Sequence, residues 1–357
     1  MSRILVTGTR TPVALDLARS LRAQGHVVFG CDVIRTALFG EGMTYRSPRL
    51  DPAGFAADAA RIVQMVKPDL IIPLCEEIYY WAHLRRYPLF APDIDTLMRL
   101  HSKYDFAQFA AGLGLHVPVT ERTGAWAPDR VFKPEFSRFG VRVLITPAQG
   151  PEGDDPANPW LRQAYVDGED LCFYAIARQG RLRAFGAYRS AWRTKGGASY
   201  YFDPVEGELS ARMQVIAATL ATALDLTGQI ACDLRRDAAG ALWLLECNPR
   251  ATSGLHLLAH DPAGLARALL GEGGLLTAGP QPVCLGLAME VYGWPQAVRQ
   301  GRVDVWKRDL RRARDVLAGR RLEAIADSVA FGLKAVVRGQ GLAEYLTRDI
   351  ACNGRLT

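Results

Sequence analysis

The residues of this chain best able to do chemistry together are Asp233, Glu246, Asn248 and Arg250. They are carried on two short apolar runs, QIACDLR and ALWLLECNPR, joined by Asp237-Ala238-Ala239-Gly240. Apolar runs on either side of a glycine-containing turn read as a β-hairpin. With Ala238 and Ala239 as the loop, Asp237 faces Gly240 and Asp233 faces Leu244, and strand alternation sets Asp233, Leu244, Glu246 and Asn248 on one side of the ribbon. Asp233 and Glu246 become diagonal neighbours roughly 7 to 8 Å apart at the backbone. Two carboxylates at that spacing can share a hard cation, Mg2+ or Mn2+, through oxygen ligands; Asn248 adds a neutral oxygen and Arg250 a fixed positive charge just beyond. Magnesium with a nucleotide phosphate suits the set. The competing reading is a surface hairpin whose acids face water. Against it, both acids sit inside apolar runs, where an unpaired charge is costly to bury, and ECNPR ends the second run abruptly.

Other groups stand at the ends of predicted elements. RVFKP reads as a short strand ending near Lys133, followed by a polar turn from Glu135 to Gly140. The Lys133 ammonium and backbone N–H groups of that turn, Ser137 and Gly140 among them, can surround phosphates. Lys103 opens the helical segment SKYDFAQFAAGLGLHVP. Glu76 and Glu77 begin another helix, where complementing the helix dipole is the alternative to a binding role. RQAYVDGED, Arg162 to Asp170, leads into the strand LCFYAIA. Beyond Arg250, ATSGLHLLA supplies Ser253 and His256, a histidine in such a run being more often a satisfied core residue than a catalyst.

In this order the motifs, and above all D-x(12)-E-x-N-P-R followed by Ser253, resemble the ATP-grasp ligases, especially their carbamoyl phosphate synthase large-subunit and biotin carboxylase branch. The resemblance covers about residues 1–275. It implies an α/β and α+β chain with a Rossmann-like N-terminal domain at 1–100, a small lid subdomain at 101–162, a larger mixed-sheet subdomain with the metal site at 163–278, and an extension at 279–357. It implies ATP and Mg2+ as cofactors, with Lys103 and Lys133 holding phosphates, Gln163 near the adenine amino group, Tyr165 and Val166 giving main-chain contacts, and Asp170 meeting the ribose. Asp233, Glu246 and Asn248 would be metal ligands, and Arg250 with Lys133 catalytic. Glu76, Glu77, Ser253 and His256 would face the substrate. The lid turn Ser-Arg-Phe-Gly is poorer in glycine than is common, and Gln163 and Asp170 stand where glutamates are commoner, so Glu169 is an alternative ribose ligand. Only about 30 residues separate Lys133 from Gln163, implying a trimmed lid.

The implied reaction is ATP-dependent joining of a small carboxylic acid, such as an amino acid, to an amine or thiol through an acyl phosphate, releasing ADP and phosphate. Two rivals stay open: activation of bicarbonate to a carbamoyl or carboxy phosphate, and a nucleotide-binding protein without catalysis.

The elements that must position these groups are ordinary. ILVTG, a helix with Val13, Leu17 and Leu21, and HVVFGCD form a βαβ opening without the G-x-G-x-x-G of a dinucleotide site. A helix after Glu206 repeats Leu209, Met213, Ile216, Leu220 and Leu224, a stripe expected to pack behind the hairpin. CLGLAMEVYGW reads as strand. With 49% hydrophobic residues in 357, the chain can bury a real core. No apolar run reaches the roughly 18 to 20 residues of a membrane span, and no signal-peptide pattern opens the chain. Seven scattered cysteines fit a reduced, cytoplasmic protein. The charge of +6 concentrates in Arg299 to Arg321, but Asp304, Asp309 and Asp315 interrupt that run and Trp306 is its one aromatic, so a solvated helix face is expected and no nucleic-acid partner. Small-molecule carboxylates and amines are the expected partners, with a homodimer the assembly considered.

Overall fold

The computed structural model describes residues 1–357 except 123–126, 128, 139–142, 148–150, 152–154, 195–196 and 357. Three sheets organise these residues. The first is parallel, in the order β3 (Met43–Thr44), β2 (Val27–Asp32), β1 (Arg3–Thr7), β4 (Leu70–Ile72). Helices α1 (Val13–Ala23) and α2 (Pro52–Val66) make its crossovers, and α3 (Glu77–His83) follows β4. Asp51 caps α2 by accepting from the Gly54 N–H, and Pro52 opens it, as the missing proline N–H allows. Gly8 leaves β1 with φ +70°. A Cβ there would lie 2.5 Å from a Glu77 carboxylate oxygen, so this turn requires glycine.

Helices α4 (Ile94–His101) and α5 (Lys103–Gly112) lead to a small antiparallel sheet ordered β5 (Thr120–Arg122), β8 (Trp160–Ala164), β6 (Arg130–Pro134), β7 (Leu144–Ile145). Strand β8 runs across the division expected at 162/163.

The large mixed sheet holds β9 (Glu169–Arg178), β10 (Arg181–Arg189), β11 (Tyr201–Pro204), β12 (Gly228–Arg236) and β13 (Leu242–Asn248), with short β14 (Leu276–Thr277), β15 (Val283–Cys284) and β16 (Arg314–Asp315). Strands β9 and β10 turn through Gln179 and Gly180, both at positive φ, as a two-residue hairpin loop demands. One face of this sheet packs on α6 (Gly207–Ala223), which buries Met213, Ala217, Leu220 and Ala221 against Phe173, Ile230, Cys232, Leu244 and Cys247. The stripe after Glu206 therefore does sit behind the hairpin. The other face carries Tyr174, Ile176 and Ala231 against α1, the short helix Ser253–Leu257 and α7 (Pro262–Leu270).

Strands β15 and β16 extend this sheet past residue 278. The strand expected over CLGLAMEVYGW is limited to Val283–Cys284, after which Gly286–Arg299 is helical. Helical winding buries Met289 and Ala297 on one side and leaves Val291, Tyr292 and Val298 outside, so tertiary burial overrides the β-propensity of these residues. All seven cysteines are free. Among the described residues no helix is long and apolar enough to cross a membrane.

Candidate active site

The hairpin β12–β13 brings Asp233 and Glu246 closer than the sequence pattern indicates, because its register differs twice. The loop has three residues, not two: Asp237 pairs with Ala241 (N–O 3.0 Å), its carboxylate accepts from the Ala241 N–H and the Trp243 indole N–H (2.8 Å each), and Gly240 takes φ +84°. That is the three-residue loop closed by a left-handed glycine. A bulge then follows between the pairs Leu234↔Leu244 and Asp233↔Glu246, leaving Leu245 unmatched. The two slips add, so Asp233 stands directly opposite Glu246 rather than diagonal to it. The bulge also reverses side-chain parity. Leu244 joins Leu234 in the core against α6, while Asp233, Glu246 and Asn248 occupy the other face; Leu244 does not share their side of the ribbon. Bulges beside functional sites re-aim side chains in this way.

The bulge also prepares a place for Lys133. Its ammonium, on β6 and buried, donates to the Leu245 carbonyl at 3.1 Å. Lys103, at the start of α5 and also buried, lies 3.4 Å from a Glu246 carboxylate oxygen and donates to the Ser137 carbonyl at 2.9 Å. Ser102 caps α5 by accepting from the Asp105 N–H (3.0 Å), and its hydroxyl donates to Glu135, which also takes Arg122 (2.8 Å). This relay ties the small sheet to α5 and holds the two lysines together. Burial pulls the Lys133 ammonium down to about 8, against the upward pull of Glu246. Burial pushes the Glu246 carboxyl up, but Lys103 and Lys133 outweigh it and hold the group far below its ordinary value. Burial and then the Glu246 charge push Asp233 well up, even though its oxygen accepts from the Cys172 thiol at 2.9 Å. Two carboxylates forced together, one of them strained toward neutrality, are a site that a cation would relieve. Among the described residues no three His, Cys, Asp or Glu side chains gather as a metal cage. Two carboxylates and an amide oxygen nonetheless fit magnesium, which keeps several waters and relies on substrate phosphates for the rest of its shell.

Arg250 continues the constellation toward the N-terminal sheet. It donates to the Asn248 side-chain oxygen (3.1 Å) and comes within 3.9 Å of Glu76. Glu76 is buried, takes Arg138 at 2.8 Å and accepts the Cys352 N–H at 3.0 Å. Burial pushes its carboxyl up, yet Arg138, His101 and Arg250 together hold it below its ordinary value. Arg138 also donates to the Asn353 side chain (2.6 Å), and His101 meets the Cys352 carbonyl (2.9 Å). The C-terminal segment thus clamps the N-terminal unit to the loop after β6. The charge of Glu76, expected to face the substrate, is thus balanced from within the chain. Glu77 is a strut: fully buried, it accepts from the Thr7 hydroxyl (2.8 Å) and the Leu74 and Cys75 N–H groups (3.1 Å each). His256 is equally enclosed. Its Nδ1 meets Asp16 (2.9 Å), a carboxylate also paired with Arg314 (3.2 Å), while its Nε2 is buried without a hydrogen-bond partner among the described residues. Ser253 opens the short helix beyond Arg250.

Of the residues expected at the nucleotide, Gln163 lies buried on β8 and donates to the Thr120 hydroxyl (2.9 Å). Tyr165 is half-exposed beneath the Arg235 guanidinium, which also takes the Val166 carbonyl (2.6 Å) and Asp170 (2.8 Å). Asp170 pairs in register with Arg235 and Cys172 with Asp233, so Asp170 lies on the face that carries Asp233, and Glu169 on the opposite one, with Arg189 and Arg236. Asp170 rather than Glu169 thus shares the sheet face of the Asp233–Glu246 pair. Ser137 turns its carbonyl to Lys103. Gly140 lies outside the described residues. Arg138 and Arg235 lie inside runs named in the sequence but carry no expected role there, and Arg193 lies outside them. Arg193, 3.2 Å from Asp170 and attractive to Asp233, would have been visible only as one more arginine in a basic turn.

No family model matches this sequence, and no curated protein matches it. Solved structures do. The chain is similar to N5-carboxyaminoimidazole ribonucleotide synthetase from Thermus thermophilus (TM-score 0.62, 17% identity, 78% of this chain and 81% of that one). It is also similar to biotin carboxylase from Campylobacter jejuni (0.59, 11%, 76% and 72%) and L-amino acid ligase from Bacillus licheniformis (0.56, 14%, 75% and 74%). What these proteins share with the three-sheet architecture described above is the ATP-grasp fold, and this chain has it.

Proposed function

We propose that this protein is an ATP-dependent ligase that activates a small carboxylic acid as an acyl phosphate and joins it to an amine or thiol, releasing ADP and phosphate. The observation that carries this reading is the convergence of Lys103, Lys133, Glu246, Asp233, Asn248 and Arg250, from three parts of the chain, on one side of the large sheet. The lysines stand where β- and γ-phosphate oxygens can replace the carboxylate and carbonyl they now contact. Asp233, Glu246 and Asn248 would hold Mg2+ or Mn2+, which supplies neutralisation of the phosphate charge. A carboxylate oxygen of the acid forms a bond to the γ-phosphorus as the bond to the ADP oxygen breaks. The amine then attacks the acyl carbon, loses its proton and expels phosphate. Arg250 offers a planar fork to the oxygens between the two reactants. Positioning and charge stabilisation carry the reaction, with no covalent enzyme intermediate.

A second reading uses the same centre with bicarbonate as the carboxylate. The names of the carboxyaminoimidazole ribonucleotide synthetase and the biotin carboxylase favour it, and the amino acid ligase favours the first. ADP release, followed with ATP and magnesium against panels of amino acids, other small acids, amines, thiols and bicarbonate, tests both. Release that requires an organic acid supports the first, and release driven by bicarbonate the second. ATP binding with no acid-dependent turnover on any panel would leave a nucleotide-binding protein.

A further inference from the structure

The helix Arg321–Val337 rests one side on the molecule and leaves the other bare. Ala324, Phe331 and Ala335 are buried, the last two against Tyr345, and Asp327 accepts from the Ala37 and Leu38 N–H groups at 2.8 Å. Opposite them, Leu322, Ile325, Val329, Leu333, Val336 and Val337 are 43 to 86% exposed. At 3.6 residues per turn, the first five fall within about 80° of arc centred on Val329. Six aliphatic side chains so exposed make a patch on the order of several hundred Å2, at or above the largest that monomers ordinarily show. It approaches the ~800 Å2 that each partner gives to a stable interface.

The spacing of the stripe identifies the occupant. The five residues are spaced three, four, four and three apart, an average of about 3.5, which is the period of a two-helix seam. That spacing reads the same in both directions from Val329, so an antiparallel copy of the same helix matches it knob for knob.

We infer that this face is a self-association surface, on which a second copy of the chain packs its own helix Arg321–Val337 antiparallel about a two-fold axis at Val329. The pairing is isologous and closes at two copies.

Sedimentation equilibrium of the full chain gives the association constant, and Val329→Glu, which sets two carboxylates against each other at the axis, should raise the dissociation constant by at least about 100-fold. Because Val329 is exposed, the variant should melt with the wild-type monomer, which separates lost pairing from lost folding. Cross-linking fixes the geometry. Val329→Cys should form an intermolecular disulfide under mild oxidation, whereas two Leu322→Cys copies stand about 21 Å apart along the helices, beyond the ~7 Å a disulfide allows, and should not. A mixture of Leu322→Cys and Val336→Cys chains should cross-link to each other. A wild type monomeric at about 100 µM, a dimer indifferent to Val329→Glu, or self-cross-linking of Leu322→Cys would each overturn the inference. So would a monomer that floats with anionic lipid vesicles, which would assign the face to a membrane.

Discussion

Asp233→Asn should do two things that rarely go together: stabilise the protein and stop its reaction. The Asp233 carboxyl is raised by burial and by Glu246, which stands directly opposite it across the hairpin. A carboxyl whose folded value lies above its unfolded value costs stability once pH exceeds the unfolded value, so at pH 7 this group is destabilising. Two ionised carboxylates in hydrogen-bond reach repel by about 4 kcal/mol at the effective dielectric of a protein surface. Lys103 at 3.4 Å and the nearby Lys133 compensate much of that, and asparagine still accepts from the Cys172 thiol, which leaves a gain of about 1 to 2 kcal/mol. In a chain of this length that is a rise of roughly 2 to 4 °C in Tm. Turnover should fall about 10³-fold or more, because an anionic metal ligand is lost. Glu246→Gln should stop turnover equally but shift stability the other way, since it strips Lys103 and Lys133 of their carboxylate. By freeing those lysines it should also tighten binding of metal-free ATP, by about tenfold. Calorimetric melting, ATP titration with and without magnesium, and ADP release on the two variants make the comparison. If Asp233→Asn lowers Tm and keeps turnover within twofold of wild type, the carboxylate pair is a structural contact and the reasoning fails.

Three further outcomes follow from other contacts. Arg250→Lys should leave ATP affinity within about twofold and lower turnover by roughly 10², about 3 kcal/mol confined to the transition state; equal losses of ATP affinity and Tm would reduce Arg250 to a brace for Asn248 and Glu76. Glu76→Gln should cost about 2 to 4 kcal/mol of stability, because Arg138 and Arg250 lose a buried partner, while the KM for the nucleophile stays constant; a raised KM at unchanged Tm would restore Glu76 as a substrate ligand. Burial pulls His101 down to about 4, so it is neutral in the fold while the unfolded chain takes up a proton below about 6.5. The unfolded state then binds more protons in that window, and stability should fall as pH drops from 6.5 toward 4, by about 2 kcal/mol at pH 5. Urea midpoints at pH 7 and 5 should show this in wild type and much less in His101→Gln, and equal losses in both would place the effect elsewhere.

What sequence reveals here is what lies close along the chain. The order Lys103, Lys133, Asp233, Glu246, Asn248, Arg250 and the apolar runs around them can be read directly, because strand and helix periodicities are local. The register of the hairpin cannot: a three-residue loop and one unmatched leucine decide it, and each moves every later pair by a position. The clamp on Glu76 is equally hidden, since Cys352 lies 276 residues away and no local pattern announces a backbone N–H as the partner of a carboxylate. Glu77 and His256 look like site residues in sequence for the reason they are structural in space. A polar group inside an apolar run needs a partner, and Thr7 and Asp16 each supply one, to Glu77 Oε1 and His256 Nδ1, while Glu77 Oε2 and His256 Nε2 are left without one among the described residues.

Phosphoryl transfer to a carboxylate is tested most directly by following an isotope. The acid identified by ADP release, or bicarbonate, is supplied with 18O in its carboxylate, and the inorganic phosphate formed is analysed by mass spectrometry. An acyl phosphate intermediate predicts one 18O carried into each phosphate and ADP as the nucleotide product. Unlabelled phosphate, or AMP in place of ADP, would contradict it.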